Sequence, residues 1–112
     1  MRVKYEVYRD GDLLVAAAIV KFNKREERRL AELIEAEGEI TLCFWTTLTE
    51  VENPLIIRQE LDATELDDAD EERLMLSDLW SMVEEEVADL RLLLSCGKTR
   101  QELLFEQVKC AA

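Results

Sequence analysis

The chain has 112 residues, 48% of them hydrophobic and 36% charged, which fits one folded domain over residues 1–112 and differs from a disordered composition. Its formal net charge of −12 argues against direct binding to nucleic acid or to an anionic membrane. Histidine is absent, which excludes Ser-His and Cys-His nucleophile pairs, imidazole general bases and zinc sites that contain histidine.

The first two elements are predicted to form a β-hairpin. Val3, Tyr5 and Val7 alternate with more polar residues, which is the pattern of a strand with one buried face. Asp10-Gly11 follows, a dipeptide favoured in tight turns between antiparallel strands. The apolar segment 13–22 then pairs back as a central strand. Its uninterrupted apolar run is too short to cross a bilayer and is flanked by charges, so neither a membrane span nor a signal peptide is expected.

A helix is predicted over residues 23–38. Asn23 is a suitable N-cap, and Glu26 three residues later completes a capping box. Gly38 is placed to end the helix in a left-handed conformation. The apolar residues of its core-facing side are Leu30, Leu33 and Ile34.

The basic start of this helix, residues 24–29 (KREERR), has two interpretations. It is either a binding patch or a helix surface whose charges pair internally. Arg28 faces Glu32 at i+4, and Arg29 faces Glu26 and Glu32 at i±3, which favours internal pairing. A partner at this patch remains the alternative.

One long strand is predicted over residues 39–51 (EITLCFWTTLTEV), because β-branched and aromatic residues dominate it. Asn53-Pro54 predicts a turn, and residues 55–61 predict a strand that pairs with the previous one as a second hairpin. Trp45 lies on a face of the long strand together with threonines. That face is either exposed to a partner or covered by a helix.

The acidic segment 60–72 (ELDATELDDADEE) contains eight carboxylates and no positive charge. Asp68 is a suitable N-cap with Glu71 in the capping-box position, and an apolar stripe at steps of three and four follows over residues 76–94. Carboxylates near a helix N-terminus are each stabilised by about 0.3–1 kcal/mol. Most of the acidic segment is therefore interpreted as the entrance to a long helix.

The C-terminal part is predicted to form a short closing helix. Gly97 ends the long helix, and Thr99 with Glu102 forms another capping box. The complete pattern predicts an α+β fold of order β-β-α-β-β-α-α. Its sheet is mainly antiparallel and four-stranded, built from the two hairpins, with helices packed on one face.

The acidic charge exceeds what helix capping explains. Residues 50–89 contain fifteen acids against Arg58 and Arg73, and self-repulsion makes such a composition costly for folding. We therefore expect an exposed acidic surface that binds a basic partner protein, with Trp45 as its apolar component. The acidic residues expected to form it are Glu60, Asp62, Glu65, Asp67, Asp78, Glu84, Glu85, Glu86 and Asp89.

These features favour a non-enzymatic protein-binding module, an adaptor or an inhibitor. A sharper version is a nucleic-acid mimic, such as a phage- or plasmid-encoded inhibitor of a host nuclease, whose carboxylates imitate the phosphate backbone for a nucleic-acid-binding partner. The alternative is a structural homo-oligomer such as a homodimer, because residues 1–29 carry a net charge of +3 and the remainder −15.

No catalytic, cofactor or metal site is predicted. Any pair of carboxylates is uninformative among twenty-six acids, and Cys43 in an apolar segment is a better core residue than nucleophile. The three cysteines are an odd number without CxxC spacing, which predicts reduced thiols and a cytoplasmic location.

Overall fold

The computed structural model describes residues 1–64, Leu66 and residues 68–111, and the side chains of these residues as far as Val108. The protein has the predicted α+β architecture. In the described part of the chain, no helix is both long enough and apolar enough to pass through a bilayer. The elements are β1 (Arg2–Asp10), β2 (Leu13–Lys21), α1 (Lys24–Glu37), β3 (Ile40–Thr41), β4 (Thr47–Leu48), β5 (Leu55–Asp62), α2 (Ala69–Cys96) and α3 (Arg100–Ala111).

The main sheet has three antiparallel strands in the order β1-β2-β5. The predicted first hairpin is confirmed, with its turn one residue later than Asp10-Gly11. Asp10 pairs with Leu13, so that Gly11 and Asp12 form the turn, and Gly11 takes a φ of 59°. That left-handed conformation costs glycine little because it has no Cβ.

The predicted four-stranded sheet is wrong. Residues 39–51 do not form one strand; they divide into β3 and β4, which make a separate two-stranded sheet around residues 42–46. The element order therefore contains one strand more than predicted between α1 and α2. The reason is that the backbone N–H groups of residues 42–46 donate to carbonyl groups within the same segment and to carboxylates of α2 instead of to a neighbouring strand.

The partner of β5 also differs from the prediction, because β5 pairs with β2 and not with the preceding segment. The Asn53 side chain accepts a hydrogen bond from the Phe22 N–H at 3.0 Å and donates one to the Phe22 carbonyl at 2.9 Å. It thereby continues the pairing beyond the end of β2. The chain therefore already lies beside β2 at Leu55, which pairs with Val20.

The hydrophobic core lies between one face of this sheet and α2. The predicted apolar stripe of α2 is buried there at Leu79, Val83, Val87 and Leu90 and partly buried at its two ends, and Leu93 adds a buried side chain that was not predicted. Each such side chain contributes about 1.5–3 kcal/mol by leaving water. The sheet residues that complete this layer are Leu14, Ala16, Ala18, Val20, Leu55 and Ile57, and α1 adds Leu30 and Ile34.

The helix ends follow the predicted caps, except that Asp68 caps α2 alone and does not form the predicted box with Glu71. Asn23 accepts from the Glu26 N–H at 2.8 Å while Glu26 accepts from the Asn23 N–H at 2.9 Å, which is a complete capping box. Asp68 caps α2 through the Asp70 N–H at 3.0 Å. Gly97 ends α2 with a left-handed φ of 78°. The later part of the acidic segment is thus the entrance to α2, as predicted.

Candidate functional site

Residues 42–46 form a tight turn between β3 and β4, called the Trp45 turn below. The Leu42 N–H donates to the Thr46 carbonyl at 2.8 Å, and the Trp45 N–H donates to the Leu42 carbonyl at 3.0 Å. Three residues therefore connect the two hydrogen-bonded ends. In hairpin loops of this length, the third residue usually adopts a left-handed conformation, and glycine is favoured there.

Trp45 occupies that third position with a φ of 74°, and it is the only non-glycine residue with positive φ among those described. A side chain in this region costs of order 1–3 kcal/mol and persists only when its surroundings fix it. Burial does not compensate for the strain, since the Trp45 side chain is 84% exposed. The turn therefore holds a large aromatic ring out in solvent at a cost in stability.

Glu86 holds one side of the Trp45 turn. It is fully buried on α2, and its carboxylate accepts from the Thr46 N–H at 3.2 Å and from the Thr46 hydroxyl at 2.8 Å. The Gln59 amide of β5 donates to the same carboxylate at 2.6 Å and to the Phe44 carbonyl at 3.1 Å. Three donors thus converge on Glu86, which links the turn to both α2 and β5.

Asp89 holds the other side. Only 1% of it is exposed, and its two oxygens accept from the Cys43 N–H at 3.1 Å and from the Arg100 N–H at 2.7 Å. Arg100 is the first residue of α3, so one carboxylate joins the turn to the start of that helix. The Thr99 hydroxyl accepts from the Glu102 N–H at 3.3 Å, which is one of the two hydrogen bonds of the predicted capping box.

The burial of Glu86 and Asp89 corrects the assignment of both residues to an exposed acidic surface. Glu86 lies three residues after Val83 and four before Leu90, which is the spacing of the apolar stripe itself. Asp89 borders that stripe and is covered by the turn. Buried carboxylates need hydrogen-bond donors, and the backbone N–H groups of Cys43 and Thr46 supply two of them.

The other acidic residues are distributed over different sides of the molecule. Glu60 and Asp62 lie on the sheet face opposite α2, where Glu60 pairs with Arg58 at 3.0 Å. Asp62 accepts hydrogen bonds from the hydroxyl and N–H of Thr64, and these bonds lower the pKa of Asp62. Both residues therefore have local roles. Glu65 and Asp67 lie outside the described residues.

Three members of the predicted acidic surface remain, and all three are exposed on α2. Asp78 and Glu85 are seven residues apart and share one side of the helix, whereas Glu84 is rotated away from them by about 100° or more. Glu84 lies near Tyr5, whose pKa is raised by burial and by that carboxylate. Tyr5 packs against Trp80 with ring centroids 5.0 Å apart, so the half-buried Trp80 contacts β1.

Cys43 within the Trp45 turn is poorly suited to nucleophilic chemistry. Burial raises the pKa of its thiol, and the nearby carboxylates of Asp89, Glu86 and Glu85 raise it further, while Arg100 partly opposes them. The thiol therefore stays protonated at neutral pH. In the part of the chain that the structure describes, no cluster of three or more cysteine or acidic side chains is arranged to hold a metal ion.

Sequence reasoning identified Trp45 but missed the residues that hold it, above all Thr46 and Gln59. The helical phase of Glu86 was the available signal, because a charged residue on an apolar stripe needs a buried partner. Comparison with protein-family models, with curated proteins and with solved structures gives no match to this chain.

Proposed function

We propose that the protein is a non-enzymatic protein-binding module, an adaptor or inhibitor, whose recognition element is the Trp45 turn. The observation that carries this proposal is a strained, 84% exposed tryptophan on a backbone fixed by two buried carboxylates. Tryptophan is among the residues that contribute most energy at the centre of protein interfaces. A backbone fixed in advance loses little entropy on binding, so the ring acts as a ready-made anchor.

A basic partner surface suits this anchor best. Glu85 lies close enough to the turn to influence the Cys43 thiol, and Asp78 shares its side of α2. Lysine or arginine side chains of a partner would pair with these carboxylates. They would also lie over the indole ring, whose face attracts cations. The partner site would therefore be an apolar pocket for Trp45 with basic residues on one side.

The nucleic-acid mimic receives less support than this anchored version. Mimicry requires a continuous strip of exposed carboxylates, but Glu86 is buried and Glu84 and Glu85 point to different sides of α2. A reducing, cytoplasm-like compartment is part of the proposal, because Cys43 and Cys96 are free thiols.

The test compares binding by the wild-type chain, Trp45→Gly and the control Ile56→Thr. Glycine fits the left-handed φ at position 45, so Trp45→Gly removes the ring and leaves the turn intact. Ile56 is also exposed and apolar, but it lies on the face of the main sheet opposite α2. Partners captured from a lysate by the wild type are identified, and their affinities are then measured by calorimetry.

We expect Trp45→Gly to weaken binding by about 2–4 kcal/mol, or roughly 30- to 1,000-fold, as for a central interface tryptophan. Ile56→Thr should change the affinity by less than about twofold. The double variant Asp78→Asn/Glu85→Gln, which removes two charges, should have a lower association rate with a weaker dependence on salt. Unchanged binding by Trp45→Gly would refute the proposal. Self-association that depends on Trp45, with no other partner, would instead favour the homo-oligomer.

A further inference from the structure

A concave surface lies between α1 and α2, with a volume of about 750 Å³. Its walls carry Arg25, Arg28 and Arg29 from α1 and Arg91 from α2, together with Glu26 and Glu32. We call it the arginine groove. Four arginines against two glutamates give a locally positive surface on a chain whose net charge is −12.

Internal pairing accounts for few of these charges. Arg29 approaches Glu32 at 4.0 Å, but the predicted pair between Arg28 and Glu32 does not form. The Glu26 carboxylate is bound by the Asn23 N–H at 2.9 Å and by the amino group of Met1 at 2.7 Å.

Three of the four guanidinium groups consequently lack an ion pair with any residue that the structure describes; they belong to Arg25, Arg28 and Arg91. The basic start of α1, interpreted from sequence as an internally paired helix surface, is therefore mostly available to a partner.

The spacing of these arginines is unfavourable without a counter-ion. Arg25 lies three residues before Arg28 and four before Arg29, so like charges share one face of α1, which destabilises a helix. Arg91 adds a fourth charge from the opposite wall. At physiological ionic strength the screening length is about 8 Å, so carboxylates elsewhere on the chain do little to offset this repulsion.

Arg29 has a structural position as well. A Cβ at Gly97 would lie 2.9 Å from the Arg29 Nη2, so the glycine lets this guanidinium approach the C-terminus of α2. The carbonyl groups at a helix C-terminus carry partial negative charge and favour a cation there. Arg29 thus joins α1 to the end of α2, while Arg25, Arg28 and Arg91 line the same groove.

We propose that the arginine groove binds an oligophosphate, a small anion with two or three linked phosphate groups. The planar guanidinium group donates paired hydrogen bonds that match phosphate oxygens, and three unpaired guanidiniums match an anion of several charges. The volume falls within the range of about 300–1,000 Å³ typical of small-molecule sites. The side chain of Leu94 adds an apolar wall suited to a nucleoside base.

This site is independent of the Trp45 turn and does not rest on the proposed function. The test is isothermal titration calorimetry of the full chain at low ionic strength with inorganic tripolyphosphate, a nucleoside triphosphate and citrate. The variants are Arg28→Gln, Arg91→Gln and their combination. Arg73→Gln is the matched control. Arg73 is an exposed arginine near the start of α2, the helix that carries Arg91, but it lies outside the groove.

We expect tripolyphosphate to bind with a stoichiometry of one, and the double variant to weaken binding by at least about tenfold. Arg73→Gln should change affinity by less than about twofold. Tighter binding of the nucleoside triphosphate would identify a nucleotide as the ligand, and equal binding would identify the phosphate chain alone. Circular dichroism checks that the variants remain folded, which is expected because both side chains are exposed.

Several results would overturn the proposal. They are no binding of either phosphate ligand, equal weakening by Arg73→Gln, and citrate binding as tight as that of tripolyphosphate. Sedimentation analysis provides one more: self-association that tripolyphosphate reverses and Arg28→Gln abolishes would make the groove an interface between copies of the chain.

Discussion

Replacing Glu86 with glutamine tests whether a buried carboxylate holds the Trp45 turn. Glutamine keeps the size of the side chain, but one of its two terminal atoms is a donor. One oxygen of Glu86 accepts from the Thr46 hydroxyl and the Gln59 amide, and the other accepts from the Thr46 N–H. In either orientation, the amide group of glutamine faces at least one of these donors.

The expected cost follows from these contacts. A buried donor without an acceptor costs about 1–3 kcal/mol, and each remaining bond loses about 1 kcal/mol when its acceptor is no longer charged. Part of this is recovered because a neutral side chain is easier to bury. We therefore expect Glu86→Gln to lower the free energy of unfolding by about 2–4 kcal/mol, a large share of the roughly 5–15 kcal/mol of a typical domain.

The assay is urea denaturation followed by circular dichroism, with Glu85→Gln as the control. Glu85 is exposed on the neighbouring position of α2, so its replacement should change stability by less than about 0.5 kcal/mol. A double-mutant cycle with Thr46→Val should give a coupling energy of about 1–2 kcal/mol between positions 46 and 86. Equal stability of the Glu86→Gln and Glu85→Gln variants would refute the structural role of Glu86.

Three further predictions concern neighbouring contacts. Asp89→Asn should cost about 1–3 kcal/mol and speed amide hydrogen exchange at Cys43 or Arg100, because one of these two backbone donors loses its acceptor. Gly97→Ala should cost at least about 1 kcal/mol in urea denaturation, because φ is 78° there and the new methyl would meet Arg29. With the other cysteines replaced by serine, the alkylation rate of Cys43 should rise with pH with a midpoint above that of an ordinary thiol. The protonated Cys43 thiol also contributes to the stability of the folded state at neutral pH. This contribution to stability should be lost as the pH rises through the raised pKa of the thiol.

Features with local signals could be predicted from the sequence. The first hairpin follows from residue alternation and a turn glycine, and α1 begins at Asn23 and ends before Gly38 as the capping rules require. The long apolar stripe of α2 and its end at Gly97 follow in the same way. In each case, the residues that determine the structure lie within a few positions of one another.

The segment 39–51 could not be predicted in this way, because residues more than 25 positions away determine its conformation. β-branched and aromatic residues favour a strand there, but Glu86 and Asp89 accept hydrogen bonds from its backbone and stabilise a turn. The pairing of β5 with β2 likewise depends on the contact between Asn53 and Phe22, 31 residues apart. Intrinsic β preference is weak, so contacts of this kind override it.

Net charge misled the prediction of the candidate site in two opposite ways, because a sum contains no information about position. It counts Glu86 and Asp89 as surface charge, although both are buried and accept hydrogen bonds. It also conceals the arginine groove. Glu86 and Arg91 are five residues apart on α2, which places them about 140° apart around its axis. One helix therefore fixes the turn that presents Trp45 on one side and carries an arginine of the proposed anion site on the other.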